Sequence, residues 1–397
     1  MMALSKKISI WWGPPKEFTT NQKERRISWL ELFFDLVYVI AVARLTHHLS
    51  HHLSWHAFVE FCWMFALVFW GWLNGSLHHD LHGNHGLRTR LMMLWQMMII
   101  AAFSIIFGKS PENHTSITVV FMLMQLFITY QWWSVGFYDK SHRKYAKPYL
   151  VLFLISFGLM GLCLWRPTWP MLLLPVILVC NYTPPFIAHR LLTRSAKRLD
   201  LSSSMFERLG LFTIIIFGEL VLGVINGVGE KESLGASEWI DFALAIGIVF
   251  SLWWIFFTFV STREVKKGFD KAATLELLYI PALVSLCVIA ACLPGFFIDD
   301  GMRQLSAYAI AAFLVCIVLI TSLLEYPPVF AKIKKHMRGS MLLTALLFLA
   351  LPLFDAYLSG TGYLCVVAVI MVLEIAFLNY IYYNRLLQEG IEPGHVT

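Results

Sequence analysis

Asp35 and Glu219 are carboxylates set inside segments otherwise apolar enough to lie in lipid. A charge at the bilayer centre costs about 2.5–3.5 kcal/mol on insertion scales, so such a residue faces a protein interior or a polar path. Asp35 lies nine residues beyond Arg26, about 13 Å along a helix at 1.5 Å per residue. Glu219 lies eleven residues beyond Arg208, at a similar expected depth. Glu31 falls one turn before Asp35 and Val42 two turns after it on one helical stripe, with Tyr38 at its border. Glu374 is a third deep carboxylate, in the last apolar run. Glu31, Asp35, Tyr38, Glu219 and Glu374 are therefore the candidates for an ion pathway. Two carboxylates brought together in low dielectric can exchange a proton or hold a cation. The alternative is packing glue, each carboxylate protonated or hydrogen-bonded to a neighbouring helix.

Arg44 points to the opposite side of its helix from Asp35. The next helix returns antiparallel and brings Glu60 to matching depth, which predicts an Arg44–Glu60 ion pair; snorkelling of Arg44 to the head groups is the other reading. Histidines cluster around two turns, His47, His48, His51, His52 and His56 at the first and His78, His79, His82 and His85 at the second. The pairs His47/His51 and His78/His82 have the i, i+4 spacing of metal ligands on one helical face. Neither cluster supplies a defined tetrahedral set, and histidine also titrates near neutral pH. No phosphate-cradling glycine loop, nucleophile elbow or HExxH is present, so no catalytic residue and no cofactor is expected.

The elements that carry these residues follow from composition. The chain has 397 residues, 58% hydrophobic and 14% charged, which predicts an all-α polytopic membrane protein. Runs near 20 residues predict twelve spans, at 28–49, 55–77, 90–108, 116–137, 148–165, 168–188, 209–228, 238–261, 272–294, 304–324, 340–358 and 361–384. Every second loop is basic, from Lys6 to Arg26 at the amino end through Lys144 and Lys147 to Lys334 and Arg338. That alternation places both termini in the cytoplasm and accounts for the net charge of +6 without nucleic acid. The seven cysteines fall in apolar runs and read as small core residues.

Shifted by 184 positions, "FFDLVYVI" falls on "FGELVLGV", pairing Asp35 with Glu219, and Trp55 and Trp70 meet Trp239 and Trp254. This predicts two parallel six-helix repeats. The expected organisation is a basic segment 1–27, a repeat at 28–190, a linker at 191–208, a repeat at 209–387 and a tail at 388–397.

"RRISWLELFFDLVYVIAVARLTHHL" and "FERLGLFTIIIFGELVLGV" resemble the two hallmarks of the low temperature requirement protein A (LtrA) family. The matching positions are Trp29, Glu31, Phe34, Asp35, His47, Glu207, Arg208, Gly210, Thr213, Gly218 and Glu219. "RTRLMMLWQM" resembles the family's third helix, whereas after the second helix only Asn74 and Asp80 echo its usual acidic stretch. The resemblance implies a bacterial inner-membrane protein. "FFDLVYVIAV" is also similar to the first-helix signature of a lysosomal and bacterial potassium channel family built from six-span units, with Phe34 where that signature has a serine. The leading expectation is a channel or transporter for a small ion, a proton or monovalent cation. A non-catalytic sensor or assembly protein and a lipid-handling membrane enzyme are the rivals. The expected partners are the bilayer, the ion and a second copy of the chain as a homodimer.

Overall fold

Inside lipid no water satisfies free backbone groups, so a long apolar run must close its hydrogen bonds within a helix. The computed structural model of the chain describes residues 15, 26–83, 86–109, 111, 113–138, 143–165, 170–192, 201–229, 231, 234–261, 263–297, 300–326 and 333–389. His85 and most of the expected terminal segments and linker lie outside the described residues. The helices are α1 (Trp29–His51), α2 (Trp55–His82), α3 (Leu87–Lys109), α4 (His114–Tyr138), α5 (Arg143–Trp165), α6 (Pro170–Tyr182) and α7 (Pro184–Leu192). They continue as α8 (Ser203–Gly229), α9 (Ala236–Phe256), α10 (Phe269–Cys292), α11 (Asp300–Leu323), α12 (Lys334–Ala350) and α13 (Gly360–Glu389). Among the described residues eleven spans are long and apolar enough to cross a membrane, and α1, at 23 residues, has the length of a twelfth. The expected all-α architecture of about twelve spans holds.

Local chemistry explains the breaks. Pro184 and Pro185 interrupt the sixth span, so α6 and α7 together make one crossing. Pro352 ends α12, whose chain tightens into a 3₁₀ turn over Leu351–Tyr357. A π turn at Phe257–Ser261 closes the span begun by α9.

The chain forms two compact units, Met1–Leu45 with Val59–Leu209, and Thr46–Phe58 with Gly210–Thr397. In the first unit α4 packs on α3 and α5, and α5 on α6 and α7. Trp70 donates its indole N–H to the Asn181 carbonyl at 2.9 Å, and the Tyr182 hydroxyl donates to the Ala66 carbonyl at 2.7 Å. These bonds fasten α2 to α6 from both sides. In the second unit α11 packs on α10 and α12, and α13 on α9 and α12. A methyl group at Gly223 would stand 2.8 Å from the Ala290 carbonyl, so α8 and α10 meet backbone to backbone there. Small residues give membrane helices this close approach.

Candidate functional site: a buried ion pair in the first unit

α1 answers the problem its sequence poses by facing two ways. Trp29, Phe33, Leu36 and Ile40 form an exposed apolar stripe, fit for lipid. Glu31, Asp35, Tyr38 and Val42 each show 0% exposure and form the opposite stripe. The carboxylates of this helix are therefore turned into protein.

The helix start fixes Glu31. Ser28 is the N-cap residue and Glu31 sits at the third helical position. The Glu31 carboxylate accepts the Ser28 backbone N–H at 2.9 Å and its hydroxyl at 2.8 Å, while the Glu31 N–H reaches the Ser28 Oγ at 3.4 Å. This is a capping box, and its S-x-x-E signal stands in the sequence ahead of the apolar run.

One turn on, Asp35 is held on three sides. Trp72 of α2 donates its indole N–H to Oδ1 at 2.7 Å. Arg208 of α8 donates from Nε to Oδ2 at 3.1 Å and from Nη2 to Oδ1. This two-pronged geometry belongs to guanidinium and not to the point charge of a lysine. The Arg208 guanidinium carbon also lies 5.7 Å from the ring centres of both Phe34 and Trp72, within cation–π range. Its remaining Nη1 approaches the Glu31 Oε1 at 3.6 Å, and His79 Nε2 lies 3.5 Å from the same oxygen. A continuous run of charged and titratable groups thus extends from His79 through Glu31 and Arg208 to Asp35.

Arg208 has only 1% exposure. It is not the surface marker that the depth of Glu219 was reckoned from, because its charge is satisfied inside by Asp35. Sequence reasoning missed this partnership. Its signal was present as an arginine fixed in a motif directly before an apolar run.

His79 opens onto a cleft of about 20 Å³ for the centres of water-sized molecules, lined by Gly75, His78, His82, Gln96, Gln131 and Ser134 among others. That is room for about one water. Gln96 Nε2, Gln131 Oε1 and His78 Nε2 are buried there without a hydrogen-bond partner among the described residues. Gly75 makes the approach possible, since a methyl group there would meet the Gln96 amide at 2.7 Å and the Phe34 ring at 3.0 Å. Beyond the cleft, Asp80 accepts Ser202 and Ser204 hydroxyls at 2.7 Å each at the start of α8, where the helix dipole favours a negative charge.

The histidine turn differs from its expectation. His78, His79, Asp80 and His82 form the last turns of α2, and His82 is 2% exposed. Both His78 and His82 meet the Trp132 ring edge-on, with centroids 5.7 and 6.0 Å away. The segment stays helical because these rings have an aromatic partner, where polarity alone suggests a loop. At the other cluster His47 and His51 bring their Nε2 atoms within 3.3 Å. Among the described residues no group of three His, Cys, Asp or Glu converges on a metal position.

The predicted Arg44–Glu60 ion pair does not form among the described residues. Arg44 is exposed and its stem runs beside α3, where a methyl group at Gly108 would stand 3.7 Å from its Cδ. The arginine stem passes Gly108 at ordinary contact distance, and the exposed charge is satisfied by reach instead of by pairing. Tyr38 directs its hydroxyl to the Met124 sulfur at 3.6 Å, against Gly71.

In the second unit Glu219 is half-buried on α8. Glu374 accepts the Ser340 hydroxyl at 2.9 Å and the Thr344 hydroxyl at 2.8 Å, tying α13 to α12 as packing glue would. A further buried pair that sequence reasoning missed joins Arg303 to Asp355 at 3.5 Å, with Arg303 also donating to the Leu358 carbonyl at 3.1 Å.

The model of the bacterial low temperature requirement A protein (LtrA) family matches residues 26–376. The chain belongs to this family. The LtrA match covers the whole described membrane region apart from the end of α13. Of the LtrA-motif positions, Glu31, Phe34, Asp35 and Arg208 meet in the first unit's buried cluster. Thr213, buried, and Gly218, exposed, lie further along α8, while Trp29, His47 and Glu207 are exposed. A comparison with curated proteins found no match.

Proposed function

We propose that this LtrA-family protein moves a small cation, a proton first among them, across the bacterial inner membrane, with both termini in the cytoplasm and without catalysis. The observation that carries the reading is the run His79–Glu31–Arg208–Asp35, linked at 3.5 Å and 3.6 Å before its closing ion pair. It begins at a cleft lined by polar side chains and ends on a fully buried carboxylate. Buried ionisable residues in membrane helices are costly and mark ion or proton paths. In this reading Glu31 passes charge between His79 and the pair, and Asp35 holds it against Arg208. Glu219, its counterpart by sequence register, serves the second unit.

A static fastening is the second reading, favoured by the two-pronged Arg208–Asp35 bond itself. Glu31→Gln separates the two. Glutamine still closes a capping box, so unfolding free energy should stay within about 1 kcal/mol of the parent. The transport reading expects proton or potassium flux into liposomes of the purified protein to fall at least tenfold under an imposed potential. Full flux in Glu31→Gln, or no flux in the parent, ends the proposal.

A further inference from the structure

The last turns of α1 bring two imidazoles together. His47 and His51 stand at i and i+4, so one helical face carries both. Their Nε2 atoms lie 3.3 Å apart, and their rings meet edge-on with centroids at 4.5 Å. Both residues are exposed, so an ion in the aqueous phase reaches them. Two nitrogens bound to one tetrahedral ion at about 2.0–2.1 Å are themselves about 3.3–3.4 Å apart. The pair therefore already stands at ligand spacing. The neighbouring rings of His48 and His52 are set wider, with centroids 5.1 Å apart. The helix end adds to the site, since His51 is the last residue of α1. The carbonyls that end a helix carry about half a negative charge between them, which favours a cation in the last turn. Arg44, about one turn before His47, is the cation that opposes the site, and its guanidinium lies against α3 at Gly108.

We propose that the carboxyl end of α1 binds one divalent transition-metal ion of the zinc class through Nε2 of His47 and Nε2 of His51, with water completing its coordination. Imidazole nitrogen suits Zn²⁺, Cu²⁺ and Ni²⁺, whereas Mg²⁺ and Ca²⁺ require oxygen. The ring that donates from Nε2 in the metal-free pair takes the tautomer with its hydrogen on Nδ1, and both lone pairs then face the ion. Nδ1 serves a further partner in metal-bound histidines generally, so the site does not require either ring to be otherwise unengaged. Two protein ligands leave open positions, which suits an ion that exchanges with the medium and not a structural one. On the orientation proposed above, this end of α1 meets the periplasm. The inference does not depend on the transport reading.

The test is isothermal titration calorimetry of Zn²⁺ into the full chain, purified in detergent and freed of any oligohistidine tag. The parent should show a Zn²⁺ site that Mg²⁺ at the same concentration does not fill. His47→Ala and His51→Ala should each weaken that site at least tenfold, since loss of a residue that merely supports a ligand already costs about 10–100-fold. The double variant H48A/H52A should keep it. Zn²⁺ should also shield His47 and His51 of the parent from diethyl pyrocarbonate, read by peptide mass spectrometry against the exposed His52. Should an alanine variant fail to fold, this protection decides alone. Full-strength Zn²⁺ binding in either alanine variant, loss of the site in H48A/H52A, equal occupancy by Mg²⁺, or unchanged modification of His47 and His51 in saturating Zn²⁺ would overturn the proposal.

Discussion

Replacing Asp35 by asparagine should destabilise the protein more than any other single exchange on α1. The change keeps side-chain volume and still offers an oxygen to the Trp72 indole, which donates at 2.7 Å. It removes the negative charge that the Arg208 guanidinium grips from Nε and Nη2. Each hydrogen bond to a charged partner contributes about 1.5–3 kcal/mol, and breaking a buried ion pair from one side costs about 3–5 kcal/mol. Glu31, at 3.6 Å from Nη1, recovers part of this, so the expected loss is about 3 kcal/mol. The informative variant is the double exchange Asp35→Asn with Arg208→Met. It removes the orphaned charge and fills the space between Phe34 and Trp72 with an apolar side chain. It should unfold within about 1 kcal/mol of the parent, giving a coupling energy of at least about 2 kcal/mol. Unfolding of the detergent-solubilised protein by sodium dodecyl sulfate titration measures all three. Additive losses would mean that the pair does not act as a unit, and a stable Asp35→Asn alone would mean that Arg208 finds its counter-charge elsewhere.

Arg208→Lys should behave as a disruptive exchange, losing about 1–3 kcal/mol in the same titration, because lysine cannot reproduce the two-pronged grip. Ser28→Ala should cost about 1 kcal/mol through the lost helix cap, with Ser28→Gly milder. Gly223→Ala should cost about 1–3 kcal/mol by overpacking against the Ala290 carbonyl, which stands 2.8 Å from the added methyl. Wild-type stability there would show that α8 and α10 are not held at that spacing. For orientation, a single cysteine at Lys144 in a chain freed of its seven native cysteines should resist an impermeant thiol reagent added outside intact cells, and one at His114 should react. The reverse labelling would invert the topology.

What could be read from the sequence divides along one physical line. The spans were legible because a bilayer imposes length and apolarity locally, residue by residue, and the helix termini mostly fall within a few positions of the expected ones. The departures come where partners distant in the chain decide. α2 runs on to His82 and α5 starts at Arg143, although histidines and Pro148 read locally as stops. The stripe of Glu31, Asp35, Tyr38 and Val42 was legible as a face, and all four are buried. The identity of its counter-charge was not, since a basic residue before an apolar run reads equally as a surface anchor and as a buried partner. The pair Arg44 and Glu60 shows the converse. Matching depth on neighbouring helices satisfies periodicity, yet rotation about the helix axis is set by packing, and the Arg44 stem lies beside α3 at Gly108.

The cluster's composition narrows what a working mechanism must do. Arg208 cannot give up its proton in a protein, so it can only shift the balance between the carboxylates it touches. Glu31 is fixed from one side by the Ser28 cap and approached from the other by Arg208 and His79. Both longer contacts, at 3.6 Å and 3.5 Å, lie outside hydrogen-bond range, whereas Asp35 is gripped inside it. In the transport reading a charge arriving from the cleft reaches Glu31 through His79, where contacts can tighten with little rearrangement, and reaches Asp35 only by loosening the Arg208 bond. The proposed transport would then make Glu31 the group that exchanges and the Asp35–Arg208 pair the gate that must open. A variant that weakens the gate, Trp72→Phe, takes about 1.5–3 kcal/mol from Asp35's hold on its position. If the pair gates flux, that variant should raise the flux rate while lowering stability. A rate that falls in step with stability would assign the pair to fastening alone.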